Sequence, residues 1–373
     1  PDMASMIHNE MRKHGIKLVL GYTVEGFKEK DNGVEVLLKD NPSLQADMVV
    51  LAIGVTPDTV LAKEAGLELG IKESIVVNDR METSVPDIYA AGDAVQVKHY
   101  VTGNDALISL AGPANKQGRI IADNICGGDS RYLGSQGSSV IKVFDMTAAT
   151  TGINETNAKK SGLEVDTVIL SPMSHAGYYP GGKVMTMKVV FEKESYRLLG
   201  AQIIGYEGVD KRIDVLATAI HAGLNATQLK DLDLAYAPPY SSAKDPVNMA
   251  GFMIDNIAKG TLKQWHLEDM DKISKDKDVV LLDVRTVGEF SMGHIDGFKN
   301  IPVDELRERI SEIEKGKPVY LICQSGLRSY IASRILEGNG YETYNFSGGF
   351  RFYDAVVNDR ALIERAYACG MDY

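Results

Sequence analysis

The sequence predicts a protein of mixed α/β and α+β class that ends in a small parallel α/β domain. Between residues 279 and 346, apolar segments of strand length alternate with helical patterns, as in a parallel sheet. Residues 138–258 instead combine several predicted strands with long helices, which indicates an α+β layer. Residues 1–57 predict a helix, a strand, a hairpin and an apolar strand. These are part of an α/β unit without its opening βα turn.

The first 135 residues supply the clearest local signals. Asp31-Asn32-Gly33 is a strong turn signal and predicts a hairpin of strands Thr23–Lys30 and Val34–Lys39. Gly15 is a candidate helix C-cap. The other predicted elements are helices at 4–14 and 113–125 and apolar strands at Ile16–Leu20, Asp47–Ile53 and Asp87–Ala91.

From residue 138 onward the pattern becomes more regular. A polar stretch at 259–278 predicts a linker with a short helix. Before it we expect strands at 139–144, 165–170, 184–191 and 199–204, and helices at 154–161, 209–222 and 245–258. After it we expect strands Val279–Val284, Pro318–Cys323 and Glu342–Phe346, and helices at 304–313 and 328–337.

Composition excludes several classes of protein. Hydrophobic residues make up 44% and charged residues 24%, as in folded proteins and unlike disordered ones. No apolar run approaches the ~20 residues of a membrane helix. The formal net charge of −11 argues against nucleic acid or an anionic membrane surface as a partner. The three cysteines, Cys126, Cys323 and Cys369, form no disulfide framework and no zinc-type spacing, so we expect no metal and a reducing cytoplasm.

The most informative cysteine is Cys323, which ends an apolar strand. The loop Gln324-Ser325-Gly326-Leu327-Arg328 follows it, and a helical pattern begins there. A glycine-containing loop that leads into a helix points backbone N–H groups inward and favours an anion at its centre. Arg328 adds a positive charge at the rim. We therefore predict a nucleophilic thiolate that attacks sulfur or phosphorus, with the substrate held by residues 324–327.

Residues 265–373 resemble the rhodanese family. The resemblance rests on the Cys323–Arg328 loop together with Leu282-Asp283-Val284-Arg285, Glu289-Phe290, Gly293-His294-Ile295, Gly297, Asn300-Ile301-Pro302 and Ser347-Gly348-Gly349-Phe350. It implies that the cysteine accepts a sulfane sulfur as a persulfide and passes it to a thiol or another nucleophile. Asp283, Arg285 and His294 are expected to support the fold. Dual-specificity phosphatases of the cell-cycle type have one more residue between Cys and Arg, so the shorter loop here favours sulfur.

A second strong signal is the string Thr83–Asp93. It predicts a buried strand that ends in Gly92-Asp93, so that a carboxylate projects beyond the sheet edge where α/β sheets bind ligands. With Val50–Pro57, Leu110–Arg119 and Tyr236–Pro246, this string resembles the pyridine nucleotide-disulfide oxidoreductases. The branch it resembles is the coenzyme A-disulfide reductases, including forms fused to rhodanese and described as NADH-dependent persulfide reductases.

That resemblance implies an incomplete flavoprotein with two dinucleotide-binding domains, followed by two whole domains. Its expected cofactors are FAD and NAD(P)H, with coenzyme A as substrate or tethered thiol and a thiol, disulfide or persulfide as the small-molecule partner. The protein would be a homodimer. The implied domains are residues 1–57, the C-terminal part of the NAD(P)H-binding domain; 58–135, the C-terminal part of the FAD-binding domain; 138–258, the dimerisation domain; and 265–373, the rhodanese domain.

The resemblance also assigns residues to roles. Cys323, Arg328 and Tyr236 are the catalytic candidates, and Tyr236 would reach the flavin and the substrate thiol of the other subunit. The residues expected at the cofactors are Thr83, Gly92, Asp93, Gly54 and Pro113. Those expected at coenzyme A are Asn115, Lys244 and Tyr178, the last as a second tyrosine of this kind, with Gln324, Ser325, Gly326 and Leu327 at the rhodanese cysteine.

The sequence also departs from the family. It has no Gly-x-Gly-x-x-Gly turn and no redox cysteine of the FAD half, and Cys126 is expected to be a packing residue. We therefore expect the C-terminal part of a larger flavoenzyme, which binds FAD weakly or not at all and has no reductase activity by itself. Two other interpretations stay open: an NADH oxidase or peroxidase with a rhodanese thiol sensor, and a module that only carries sulfur. The natural sulfur substrate and the choice between NADH and NADPH stay open as well.

Overall fold

The computed structural model describes residues 2–368 of the 373-residue chain, with side chains as far as residue 364. Within that range the chain divides into two compact units, residues 8–137 with 358–368 and residues 2–7 with 138–357. Each unit is described by itself. Among residues 2–368, no helix combines the length and the apolar character that crossing a bilayer requires.

The elements up to residue 137 are α1 (Ala4–Lys13), β1 (Val24–Lys30), β2 (Gly33–Leu38), β3 (Asn41–Ala46), α2 (Val60–Glu64), β4 (Ile75–Val76), β5 (Val95–Lys98), β6 (Asp105–Ala106) and α3 (Ala111–Ile125). β1, β2 and β3 form an antiparallel sheet, which confirms the predicted hairpin and extends it by one strand. β4 pairs in parallel with β5, and β5 pairs antiparallel with β6. A small core of Met81, Val95 and Val97 lies beneath Ile120 and Ile121 of α3.

Three strands predicted in this region are wrong. The chain is irregular at 16–20 and at 47–53, and it forms only an isolated bridge between Glu82 and Tyr89 near the predicted strand at 87–91. A parallel strand needs a neighbour, and no other strand among the described residues pairs with these segments. As a result Ile53 is 90% exposed. Asp87 has a φ of +62°, which interrupts an extended strand.

Residues 138–258 form the predicted α+β layer. Its elements are β7 (Ser139–Val143), β8 (Met146–Gly152), α4 (Glu155–Lys160), β9 (Val165–Leu170), β10 (Met185–Glu192), β11 (Leu198–Gly205), α5 (Val209–His221) and α6 (Pro246–Ala258). The five strands make one antiparallel sheet in the order β7-β8-β11-β10-β9. β8 is the only strand of this sheet that the sequence did not predict.

Residues 264–368 form a parallel sheet flanked by helices, which confirms the predicted parallel α/β architecture. The elements are β12 (Gln264–Trp265), α7 (Met270–Ile273), β13 (Val280–Asp283), α8 (Val287–Met292), β14 (Lys299–Asn300), β15 (Val319–Ile322), α9 (Leu327–Glu337), β16 (Thr343–Phe346) and α10 (Gly349–Ala368). All four strand pairings in the order β12-β16-β15-β13-β14 are parallel.

The helix predicted at 304–313 is wrong, because this segment is a series of tight turns. The N–H of Glu305 bonds the carbonyl of Pro302, and the N–H of Glu308 bonds that of Glu305. Only Ile310–Glu312 forms a short 3₁₀ turn. Leu306 is nevertheless fully buried, so this apolar residue of the predicted helix packs in the core although the helix does not form.

Candidate functional site

The Cys323 loop lies between the end of β15 and the first turn of α9. Cys323 is completely buried. The N–H of Gly326 donates to Cys323 Sγ at 3.1 Å, and the single hydroxyl proton of Ser329 is shared between the same sulfur at 3.2 Å and the carbonyl oxygen of Gly326 at 3.1 Å. Gly326 has a φ of +98°, a conformation that favours glycine and that turns its N–H toward the sulfur side of the loop. Two donors therefore converge on one buried sulfur, an arrangement that stabilises a thiolate or a persulfide anion.

The turn at Gly348-Gly349 packs against this loop. The N–H of Phe350 donates to the carbonyl of Cys323 at 2.8 Å, and the N–H of Arg351 donates to that of Gln324 at 3.2 Å. Gly349 lies so close that an added Cβ would come within 2.6 Å of the Ser325 nitrogen. The turn and the loop are therefore fixed against each other backbone to backbone.

Arg328 does not stand alone at the rim of the site. Its two terminal nitrogens each donate to a Glu289 carboxylate oxygen at 2.7 Å. These hydrogen bonds lower the pKa of Glu289 to about 2, against the opposing effect of partial burial, and Glu289 in turn raises the pKa of Arg328. Glu289 also accepts hydrogen bonds from Thr286, which caps α8. The predicted rim charge is thus neutralised by a carboxylate to which sequence reasoning gave no role.

Asp283 and Arg285 form a buried ion pair, in keeping with their expected structural role. Arg285 Nη2 lies 2.7 Å from Asp283 Oδ2 and 2.8 Å from the carbonyl oxygen of Gly293. The Arg285 guanidinium also lies 3.8 Å from the centre of the Phe350 ring. His294 stacks on Phe290 with ring centres 4.1 Å apart. These contacts join β13, α8 and the glycine turn, and none of them involves the Cys323 sulfur.

The structure brings Tyr178 and Tyr236 together within the antiparallel layer. Their hydroxyl oxygens are 2.6 Å apart, and both side chains are exposed. The hydrogen bond with Tyr178 raises the pKa of Tyr236. A cavity of about 610 Å³ adjoins Tyr236, and its lining includes His175, Lys211 and Tyr240.

Arg212, a residue that sequence reasoning missed, fixes the two tyrosine loops. It is 1% exposed. Its Nη2 donates to the carbonyl oxygens of Ser174 and Tyr240, at 2.9 and 3.2 Å, and to Asp245 Oδ2 at 3.0 Å. The Ser174 loop leads to Tyr178, and the Tyr240 loop follows Tyr236. A buried cation that bonds carbonyls of two loops could be found from sequence only by knowing that the loops meet.

The remaining predicted ligand contacts are mostly on exposed turns. Lys244 is exposed just before the Asp245 N-cap of α6. Asn115 is exposed at the start of the second turn of α3, and Pro113 is half-buried two residues earlier. Lys244 belongs to one compact unit and Asn115 to the other. Thr83 hydrogen-bonds the backbone of Val85, so its hydroxyl serves a local turn.

The Gly92-Asp93 turn lies against the first turns of α3. The N–H of Gly92 donates to Oε1 of the buried Gln117 at 2.7 Å, and Asp93 is exposed. Gly54, the predicted end of the nicotinamide-domain strand, is exposed in an irregular segment with a φ of +92°.

The structure describes one of the other two cysteines. Cys126 is exposed, which contradicts the expectation that it packs in a core: it follows the last residue of α3, where its side chain meets solvent. Cys369 lies outside the described residues. Within residues 2–368, no cluster of three or more His, Cys, Asp or Glu side chains could hold a metal ion.

Comparison with known protein families agrees with this division of sites. Residues 1–118 match the pyridine nucleotide-disulphide oxidoreductase family, and residues 138–246 match the dimerisation domain of the same family. Residues 266–355 match the rhodanese-like domain.

The chain belongs to the pyridine nucleotide-disulphide oxidoreductase family and carries a rhodanese-like domain.

Solved structures of this family include two that resemble nearly the whole chain. The reduced Bacillus anthracis CoADR-RHD is 46% identical, with a TM-score of 0.92, over 96% of this chain and 64% of that one. A NAD-dependent persulfide reductase from A. fulgidus is 40% identical, with a TM-score of 0.87, over 94% of this chain and 64% of that one.

Curated relatives in the family carry several names. A CoA-dependent NAD(P)H sulfur oxidoreductase of Pyrococcus abyssi is 36% identical over 66% of this chain and 54% of its own length. The coenzyme A disulfide reductase of Staphylococcus aureus is 33% identical over 67% of this chain and 56% of its own length. An NADH oxidase of Methanocaldococcus jannaschii is 35% identical over 67% of this chain and 55% of its own length. The chain thus spans a little over half the length of these relatives.

Proposed function

We propose that this protein acts as a coenzyme A-disulfide or persulfide reductase coupled to a rhodanese sulfurtransferase, in which Cys323 carries sulfane sulfur. The observation that carries the sulfurtransferase half is the buried Cys323 sulfur with two converging donors, Gly326 N–H and Ser329 O–H. The reductase half is supported by relatives named coenzyme A disulfide reductase and NAD(P)H sulfur oxidoreductase.

In the proposed transfer, the Cys323 thiolate attacks the outer sulfur of a donor persulfide, R–S–SH. A new S–S bond forms at Cys323 while the S–S bond of the donor breaks, and R–S⁻ leaves with the bonding electron pair. The transferred sulfur keeps its proton, so the step needs no external oxidant or reductant. The Gly326 N–H and the Ser329 hydroxyl stabilise the Cys323 thiolate before its attack, and the negative charge leaves on R–S⁻. A thiol or another nucleophile then takes the sulfur from Cys323.

FAD is the cofactor implied by the family, and the Gly92-Asp93 turn is compatible with it. Asp93 is exposed beside the first turns of α3, where its carboxylate can accept hydrogen bonds from sugar-type hydroxyls. Pro113 lies in the first turn of α3. When bound, FAD supplies electron transfer from NAD(P)H to a disulfide or persulfide. In the antiparallel layer, the hydrogen-bonded Tyr178 and Tyr236 would hold or donate a proton at the substrate thiol, and Lys244 would bind a coenzyme A phosphate.

The dimerisation domain supports a homodimer, in which Tyr236 of one subunit would complete the site of the other. We further infer a reducing compartment such as the cytoplasm, because the mechanism needs Cys323 as a free thiol.

The decisive experiment replaces Cys323 with serine. Sulfur transfer from thiosulfate or a persulfide to cyanide is followed as thiocyanate production. We expect the Cys323→Ser protein to lose this transfer, because the nucleophile is gone, and the matched Cys126→Ser protein, altered at an exposed cysteine, to keep it. Undiminished transfer by Cys323→Ser would rule out the assignment.

A second function is favoured by one specific observation, the 35% identity to an NADH oxidase. In that case the rhodanese-like domain would act as a thiol sensor, and oxygen would replace the sulfur substrate. The two functions differ in what consumes NADH. Oxygen-dependent NADH oxidation with no response to coenzyme A disulfide or persulfide would favour the oxidase.

A further inference from the structure

A groove on the outer side of α9 has no role in the function proposed so far. Its volume is about 550 Å³, within the range of small-molecule sites. The apolar part of its lining consists of Ile310, Ile331 and Ile335, and the polar part includes Arg307, Tyr330 and Arg334. No carboxylate lines it.

The groove is continuous with the Cys323 site through one face of α9. Leu327, Ile331 and Ile335 are four residues apart and therefore share that face. Leu327 is the first residue of the helix, follows the active-site loop directly and is 64% exposed, while Ile331 is 43% exposed. The eight steps from Leu327 to Ile335 rise about 12 Å along the helix. An apolar strip thus leads from the mouth of the loop to the groove.

Arg307 makes the far end of this strip cationic, because Arg334 is paired with a carboxylate and contributes N–H donors more than net charge. Arg334 donates to the carbonyl of Thr261 at 2.8 Å and pairs with Glu337, which holds its guanidinium in place. Since a guanidinium has five N–H donors, others stay unused. Arg307 is exposed and forms no hydrogen bond or ion pair with any residue in the described part of the chain. On a protein of formal net charge −11, an exposed Arg307 beside the N–H donors of Arg334, in a groove that no carboxylate lines, is a local exception that favours an anion.

We propose that this groove binds the nucleotide half of a coenzyme A persulfide and so delivers its outer sulfur to Cys323. The phosphates would pair with Arg307 and Arg334, the adenine would stack on Tyr330, and the thiol arm would lie along Ile331 and Leu327. This inference rests on the proposed sulfurtransferase function and names its donor. The covalent step is the one already given: the Cys323 thiolate attacks the outer sulfur, the donor S–S bond breaks, and coenzyme A leaves as its thiolate with no net oxidation.

The test compares three sulfur donors on the full chain, with cyanide as acceptor: coenzyme A persulfide, pantetheine persulfide, which lacks the nucleotide, and thiosulfate. For Arg307→Ala, loss of a charged phosphate contact is expected to raise KM for coenzyme A persulfide about tenfold or more, with kcat little changed. KM for pantetheine persulfide and for thiosulfate should stay unchanged. The matched control is Arg360→Ala, an exposed arginine of α10 outside the groove, which should leave all three KM values unchanged.

Binding without turnover provides an independent measurement. Coenzyme A is titrated by calorimetry into the Cys323→Ser, Lys244→Ala protein. The first substitution removes the reaction, and the second removes the predicted contact at the reductase site. Binding should be detected there and should weaken by a similar factor when Arg307→Ala is added.

The outcomes separate the two proposals. If the wild-type chain transfers sulfur but Arg307→Ala leaves KM for coenzyme A persulfide unchanged, the groove proposal is overturned and the sulfurtransferase stands. Equal KM increases for all donors, or an equal increase in Arg360→Ala, would also overturn it. If the wild type transfers sulfur from no donor, the proposed function itself fails.

Discussion

Arg328 is prevented from acting as a lone cation, because Glu289 binds it through two hydrogen bonds of 2.7 Å. A paired guanidinium presents little net charge to its surroundings. The hydrogen-bond donors that contact the Cys323 sulfur are therefore the Gly326 N–H and the Ser329 hydroxyl, which carry only partial charges. Such a donor set suits a singly charged sulfur better than a doubly charged phosphate. The charge balance of the site thus agrees with the short four-residue spacing in favouring sulfur transfer.

Replacing Glu289 with glutamine should reveal this ion pair as a pH-dependent stability difference. The pKa of Glu289 falls from its ordinary 4.5 to about 2, so its contribution is fully present above pH 4.5 and is lost as the pH falls toward 2. Because both side chains are nearly one-third exposed, we expect Glu289→Gln to lower the free energy of unfolding at pH 7 by only about 1–2 kcal/mol. Urea denaturation over a pH series measures the difference, which should close between pH 4.5 and 2.

Glu312→Gln is the matched control for that experiment. Glu312 also has a pKa of about 2, through Arg309 and Lys299, but its ion pairs are on the surface. Its effect should be smaller and should disappear at high salt. A Glu289→Gln effect that did not change with pH would show that packing, and not the ion pair, is responsible.

The sequence singled out the proposed nucleophile but not the groups that lie closest to it. Cys323 stands out because strand, loop and helix are contiguous in the chain. Ser329 lies one helical turn beyond the loop, so its contact with the sulfur depends on how the loop folds back. Glu289 is 39 residues away from Arg328 in sequence, and Arg212 bonds two loops that are distant from each other in the chain. Contacts of this kind depend on tertiary structure, and one sequence does not encode them in a visible pattern.

At the scale of elements, the backbone contact between the Gly348-Gly349 turn and the Cys323 loop sets the shape of the site. Gly349 has a φ of +69°, and a Cβ there would come within 2.7 Å of the Gln324 carbonyl oxygen and of the Ser325 Cα. Neither backbone can move without shifting the loop that holds the sulfur. The glycine is therefore required by space as well as by conformation.

Gly349→Ala should accordingly impair both stability and sulfur transfer. We expect a loss of about 2 kcal/mol or more in the free energy of unfolding, because left-handed strain and a backbone clash add together. Gly316→Ala isolates the first effect, since Gly316 has a φ of +83° with nothing within 4 Å of its Cβ position. It should cost about 1 kcal/mol and leave transfer intact. Equal effects of the two substitutions on stability and transfer would contradict the clash.

The strands of the antiparallel layer that the sequence predicted correctly have their pairing strands within residues 2–368. The strands of the antiparallel layer pair with their neighbours, and the apolar pattern of β9, β10 and β11 located them. β8 was missed because Met146–Gly152 consists largely of alanine and threonine, which give a weak apolar alternation. The run at 47–53 has the composition of a buried strand, but no strand within residues 2–368 pairs with it, so its composition alone gave a wrong prediction.

At the scale of the larger unit, the rhodanese-like domain and the antiparallel sheet share one core. Ile169 and Ile204 of the sheet belong to the same buried cluster as Trp265, Phe346 and Phe352. The backbone N–H of Ile169 also donates to the Ser347 hydroxyl at 3.1 Å, directly before the glycine turn under the Cys323 loop. The edge strand of the antiparallel sheet is thus hydrogen-bonded to the residue that precedes the Gly348-Gly349 turn. We therefore expect the antiparallel sheet and the rhodanese-like domain to unfold together.

Trp265 is the only tryptophan of the chain and 2% exposed, so its fluorescence reports on this shared core. We expect its unfolding transition in urea to coincide with the loss of hydrogen-exchange protection in β10 and β11, measured by mass spectrometry. Ile169→Ala removes core volume on the sheet side. It should lower the free energy of unfolding by about 2–4 kcal/mol, equally in the Trp265 transition and in the hydrogen exchange of β10 and β11. Ile141→Ala, at a side chain of the same sheet that is 60% exposed, should change both by less than about 0.5 kcal/mol. If Ile169→Ala weakened protection in β10 while the Trp265 transition stayed in place, the two layers would be independent folding units, and the sheet could not influence the Cys323 loop through Ser347.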